Sequence, residues 1–172
     1  MATRTLERPH APPRISFAPD GFDRILAAAA LILLAAVATA IFRGRAEWPG
    51  LPLVLQGHIL TIVVAVALTP LMLLRPRGDR LHRRLGWVWA AAMAGTAALS
   101  FGVRGLNGGA LSFIHILSAW TLIQVPIIVS SARSHNVARH RGAVRGMVSG
   151  ALIIAGVFTF PFERLMGRWL FG

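Results

Sequence analysis

Residues 51–74 read LPLVLQGHILTIVVAVALTPLMLL, and residues 75–84, which follow directly, read RPRGDRLHRR. The first stretch is 24 residues long and carries no Asp, Glu, Lys or Arg. At about 1.5 Å of rise per residue a helix of that length exceeds the roughly 30 Å hydrocarbon core of a bilayer. The apolar residues run on continuously instead of alternating, and a backbone in lipid must satisfy its own hydrogen bonds, so helix is favoured over strand. The second stretch packs five arginines into ten residues, a loop built to stay in water. An apolar span followed by an arginine-rich turn is the unit from which the rest of the chain is read.

Four further runs have the same character: Ile25–Phe42, Leu85–Val103, Ala110–Ala132 and Gly142–Phe162. The expected fold is therefore all-α, an integral membrane helical bundle of five transmembrane helices, with spans two to five as a four-helix core and the first span at its side. Residues 1–21 are rich in proline and arginine and read as a disordered basic tail. Residues 22–165 read as a single five-span membrane domain, and 166–172 as an interfacial C-terminal tail. Ala36-Val37-Ala38 and Ala38-Thr39-Ala40 each fit a small-x-small cleavage pattern. The long leader and long apolar run favour a retained first span.

The 172 residues are 55% apolar and 14% charged, and the net charge is +12 from 18 basic and 6 acidic side chains. In a soluble chain that charge would suggest nucleic acid. Every basic residue is an arginine, however, and the arginines are confined to the connections between apolar runs, so no nucleic-acid partner is expected. The absence of cysteine removes disulfides, thiolate-bound clusters and covalent haem attachment.

Arginine placement sets orientation. Arg4, Arg8, Arg14, Arg24, Arg75, Arg77, Arg80, Arg83, Arg84, Arg133, Arg139, Arg141 and Arg145 fall on one side of five alternating spans. Arg43, Arg45, Arg104, Arg164 and Arg168 fall on the other. The expectation is a bacterial cytoplasmic (inner) membrane protein with its N-terminus cytoplasmic and its C-terminus outside. Trp48, Trp87, Trp89 and Trp169 lie near span ends and read as interfacial anchors. Gly142, Gly146 and Gly150 repeat every four residues and read as a close-packing stripe. Residues Gly105–Gly109 read as a turn.

Ionisable groups inside a bilayer are costly and are the first candidates for function. No Asp, Glu or Lys falls within an apolar run, and Ser112, Ser118 and Ser149 have no acidic residue to orient a histidine base, so catalytic hydrolysis is unsupported. Histidine remains. His58 and His115 lie about 7.5 Å inside the outer boundary, level with each other. His82 and His140 lie level at the cytoplasmic ends of the third and fifth spans. Gln56, Thr61 and Gln124 are candidate polar partners, and Pro126 marks a candidate kink in the fourth span.

Two imidazoles from facing helices at one depth are what the axial positions of a haem iron require. Two such pairs would hold one or two b-type haems and carry electrons across the membrane. The layout is similar to that of the two-haem transmembrane cytochromes b, whose four core helices supply ligands in this alternating order. The cofactor-binding candidates are His58, His115, His82 and His140, and any metal would be haem iron at those positions. Arg80, Arg83, Arg84, Arg139, Arg141 and Arg145 are candidates for haem propionates or anionic lipid headgroups. The bland reading of His82 and His140 is an interfacial role inside arginine clusters, and of His58 and His115 a hydrogen bond to a neighbouring helix. The alternative function is a non-catalytic membrane subunit that packs against a larger complex or redox partner, or binds anionic lipid.

The run Gly57-His58-Ile59-Leu60, then Thr69-Pro70, Leu74-Arg75 and Leu81-His82-Arg83-Arg84-Leu85-Gly86, resembles an uncharacterised family of bacterial membrane proteins, a domain of unknown function with two His-Arg elements. His140-Arg141, with Arg145 and Met147, resembles the second element. The resemblance covers roughly residues 55–165 and implies a small multi-span membrane protein without an assigned activity.

Overall fold

A computed structural model describes residues 18–103, 113–161 and 163–172. Among these residues the chain is helical and holds no strand. The expected turn at 105–109, the start of the fourth span, most of the N-terminal tail and Arg104 lie outside the described residues.

Helix α1 spans Gly21–Arg43. It starts on a capping box in which the Asp20 and Asp23 carboxylates each accept the other's backbone N–H at 3.0 Å, satisfying two amides that a helix start leaves without partners. Two short 3₁₀ turns, Gly44–Ala46 and Trp48–Gly50, reverse the chain into α2, Leu53–Leu74. The connection to α3, Arg80–Ser100, turns on Gly78 at φ +88°, and the Asp79 carboxylate caps α3 by accepting the His82 N–H. Helix α4 covers Phe113–Arg133 and contains Pro126. A turn with His135 at φ 56° leads to α5, Val137–Met147, which Asn136 caps through the Arg139 N–H. Its helix continues through a π-helical segment, Val148–Ile154, and a last turn, Ala155–Val157. Helix α6 covers Leu165–Phe171.

Among the described residues three helical stretches are long and apolar enough to cross a membrane: Gly21–Ala46, Leu53–Leu74 and Ile114–Arg133. The expected third and fifth spans also form helices, but their first turns are occupied by Arg80, Arg83 and Arg84 and by Arg139, Arg141 and Arg145. That shortens the purely apolar part of each. The packing has the inverted character of membrane bundles. Small residues such as Ala27, Ala30, Ala40, Ala65, Ala90 and Ala97 are buried between helices, while Ile32, Leu53, Ile116 and Ile123 stand 62–83% exposed on the outside. Close helix contact through small residues replaces the hydrophobic drive that lipid does not supply.

The chain order gives up-and-down neighbours, and α1 closes the set. Leu26, Ala27 and Leu33 of α1 share one core with Ala65 and Val66 of α2, Trp89 and Met93 of α3, Ile128 of α4, Met147 of α5, and Val148 and Leu152 of the π-helical segment. The first helix is thus part of the core, where the sequence reading set it beside a four-helix core. The reason is its own alanine face, which admits α2 and the π-helical segment Val148–Ile154 at short range. The Gly142, Gly146 and Gly150 stripe also departs from expectation: beyond chain neighbours and the helix's own backbone, no described atom comes within 4 Å of where a Cβ would stand on any of the three. Trp89 and Trp169 are core residues at 5% and 4% exposure, not anchors, and the Trp89 indole donates to Thr69 Oγ1 at 3.0 Å.

Helix α6 docks on the far end of α1. Met166 and Trp169 join Ala40 and Ile59 in a second small core, and Arg43 donates to the Leu170 carbonyl. Two glycines make the docking possible. A Cβ on Gly44 would stand 2.0 Å from the Trp169 ring, and one on Gly167 would stand 1.8 Å from the Phe160 carbonyl oxygen. Because the second obstacle is backbone, Gly167→Ala is expected to cost about 1–3 kcal/mol through overpacking and to lift α6 away. The thermal midpoint in detergent, with limited proteolysis after residue 160, reads the effect; an unchanged midpoint and cleavage pattern would mean that α6 is not docked this way.

Candidate functional site

The start of α1, the α2–α3 connection and the first turns of α5, all expected on one side of the membrane, meet at one end of the bundle. Asp23, fully buried in the first turn of α1, is the point of contact. Arg77 from the α2–α3 connection pairs with it, Arg141 of α5 reaches it at 3.0 Å, and Arg145 reaches it at 2.8 Å. Asp20 pairs with Arg141 and Arg145, each at 2.5 Å. Hydrogen bonding from Arg145, helped by the Asp23 amide, holds the Asp20 carboxyl well below the usual carboxylate range. Asp79 is lowered too, first by the His82 N–H and then by Arg75.

Beside this cluster lies a cavity of about 410 Å³, within the size range of small-molecule sites. Its apolar wall includes Leu73, Trp89, Ala90, Ile128, Val129 and Val148, and its rim includes Asp23, Arg77, Arg83, Arg133, Arg141 and Arg145. His82 and His140 both line it. Their ring centroids are 6.5 Å apart with an interplanar angle of 73°. His140 Nδ1 lies 3.0 Å from the Ile128 carbonyl. A carbonyl only accepts, so Nδ1 carries the proton and donates, which leaves the Nε2 lone pair open. His82 Nδ1 is buried and has no hydrogen-bond partner among the described residues.

The other two histidines are held by α3. His58 Nδ1 donates to the Thr96 carbonyl at 3.0 Å, so its Nε2 lone pair is also open. Thr96 in turn donates to Thr61 Oγ1 at 2.8 Å. His115 is 5% exposed, and its ring lies 5.7 Å from that of Phe101 at the end of α3. Nearby, Ser100 and Ser118 bind α3 to α4 through their hydroxyls. The direct ring contact is between His82 and His140, the pair that the sequence puts in charged surroundings.

The six candidate arginines divide. Arg141 and Arg145 are half-buried and paired with carboxylates, whereas Arg80, Arg83, Arg84 and Arg139 are exposed. Sequence reasoning passed over Asp20, Asp23 and Arg77. The signal was present in Asp20-Gly-Phe-Asp23, an acidic pair at capping-box spacing ahead of an apolar run.

The His82 ring, ahead of the apolar part of α3, has its pKa lowered below the ordinary histidine range, first by burial and then by the facing His140. As pH falls through that range the unfolded chain takes up a proton at this position before the folded chain does, so stability falls on acidification. Asp20 and Asp79, both lowered, stay ionised in that window. The thermal midpoint in detergent is expected to drop between pH 7.5 and pH 5.5, and to drop less in His82→Gln. Equal drops in both proteins would assign the effect elsewhere.

Compared with family models, with curated proteins and with solved structures, the chain finds no match in any of the three.

Proposed function

We propose that the chain is a five-span protein of the bacterial cytoplasmic membrane that holds b-type haem between α3 and α5 and passes electrons through it. The observation that carries this reading is the His82–His140 pair on one cavity. The two imidazoles face one cavity with their ring centroids 6.5 Å apart, and neutral imidazoles are the donors a haem iron would take. The backbone bond from His140 Nδ1 is the arrangement by which metal-binding histidines fix their tautomer and orientation.

In this reading His82 and His140 would hold the haem iron and the apolar wall would keep water from it. Bound haem supplies a one-electron iron couple whose potential the ligands and the dry wall set. Arg83 and Arg133, which have no carboxylate partner among the described residues, offer charge for propionates at the rim. The arginines around Asp23 hold the three helix ends that frame the cavity. A second haem between His58 and His115 extends the reading, supported by the fixed tautomer of His58 and the burial of His115. The partners are the bilayer and a redox protein or larger membrane complex.

The test is the reduced-minus-oxidised absorbance of protein purified from haem-replete cells. A haem α-band supports the reading, and its absence at every haem supply removes it. Orientation is tested separately. C-terminal reporter fusions are expected to be active outside the cytoplasm, because the five spans alternate from a cytoplasmic N-terminus. A fusion active only in the cytoplasm would reverse or reduce the span count.

A further inference from the structure

At the edge of the histidine cavity, the first two turns of α3 carry an exposed basic stripe. Arg80, Arg83, Arg84 and Trp87 stand at i, i+3, i+4 and i+7, which is one side of a helix. Together they line an open concavity of about 340 Å³. No carboxylate lines it. Asp79, next in sequence, is taken by Arg75 at 2.8 Å and by the His82 N–H. Arg83 lends one N–H to the Gly78 carbonyl at 2.8 Å, while Arg80 and Arg84 have no partner among the described residues. Three like charges on neighbouring turns repel one another, and a bound anion turns that repulsion into attraction.

The surface around the stripe is apolar. Trp87 is 59% exposed, Val88 50% and Leu81 43%. A free phosphate would use only the guanidiniums; a molecule with an anionic head and an apolar tail would use both. Tryptophan at this depth favours the headgroup boundary, and juxtamembrane arginines attract anionic lipid.

We propose that Arg80, Arg83, Arg84 and Trp87 form a binding site for the phosphodiester headgroup of an anionic lipid. The guanidiniums take the phosphate oxygens in charge-assisted hydrogen bonds, and Trp87 with Val88 covers the first methylenes of the acyl chains. The site shares Arg83 and Trp87 with the cavity lining, whereas Arg80 and Arg84 lie outside it, so lipid retention in Arg84→Gln is read independently of haem.

The experiment uses the full chain in zwitterionic detergent, titrated with phosphatidylglycerol and, separately, phosphatidylcholine, with bound lipid counted by native mass spectrometry. Phosphatidylglycerol is expected to be retained and phosphatidylcholine not. The triple variant Arg80→Gln/Arg83→Gln/Arg84→Gln is expected to weaken retention by on the order of 100-fold, and Arg84→Gln alone by roughly 5-fold, at about one favourable contact per guanidinium. The control Arg24→Gln/Arg45→Gln/Arg168→Gln loses the same charge elsewhere and is expected to retain the lipid. Equal loss in the control, or equal retention of phosphatidylcholine, overturns the site. Displacement of the lipid by an equal concentration of glycerol phosphate overturns the lipid assignment in favour of a soluble phosphate. Because Arg84 is exposed, the single variant keeps the test decisive if the triple variant folds poorly.

Discussion

Replacing His82 and His140 together by alanine is expected to abolish the haem α-band if these two residues hold haem as proposed, a loss of one haem equivalent per chain. Each single substitution would take away one of the two proposed iron-holding imidazoles and is expected to alter the haem absorbance spectrum. Unfolding is a minor contribution, because His140 makes one hydrogen bond to a backbone carbonyl, worth about 1 kcal/mol, and circular dichroism on the same samples should show full helicity. His58→Ala with His115→Ala reports on the second pair: if a second haem is held there, the haem-to-protein ratio falls by half. A band unchanged in His82→Ala/His140→Ala would remove these residues as ligands whatever the second pair does.

Replacing Asp23 by alanine is expected to destabilise the protein by about 3–5 kcal/mol, the usual consequence of removing one partner from a buried ion pair. Asp23 is fully buried, and the Arg77, Arg141 and Arg145 side chains that meet it are only 10%, 21% and 23% exposed. Without the carboxylate three guanidiniums converge on one another, and α1, the α2–α3 connection and α5 lose their common tie. Asp23→Asn should cost nearly as much, since it keeps the shape and removes the charge. Asp20→Ala should cost much less, because that side chain is 47% exposed and solvent screens its pairs. Unfolding midpoints in detergent measured for the three variants give the comparison; similar midpoints for Asp23→Ala and Asp20→Ala would mean that the cluster is solvated and holds nothing together.

The bundle was legible because its signals are local. The run Leu53–Leu74 announces its helix by length and by the absence of charge. The histidine site was only half legible. Counting residues from span ends placed His58 and His115 level and His82 and His140 level, and a count says nothing about which way a ring faces. His58 turns to the Thr96 carbonyl of α3, whereas His82 and His140 turn toward each other. The π-helical segment Val148–Ile154, which follows the helical turns carrying His140, leaves no periodicity signal to read.

Apolar run length and arginine segregation settle the class of fold and the grouping of the helix ends, because both act through the cost of moving a segment from water into lipid, a property of the segment alone. The pairing of Asp23 with Arg77, Arg141 and Arg145 spans up to 122 residues of sequence and could not be read from it. The same holds for the place of α1 in the core, the burial of Trp89 and Trp169, and the open face of the Gly142–Gly150 stripe. Each depends on which helix faces meet, and that is decided by packing several helices at once. The excess of arginine, which the sequence read as a topology signal alone, also supplies the clamp that holds three helix ends around the histidine cavity.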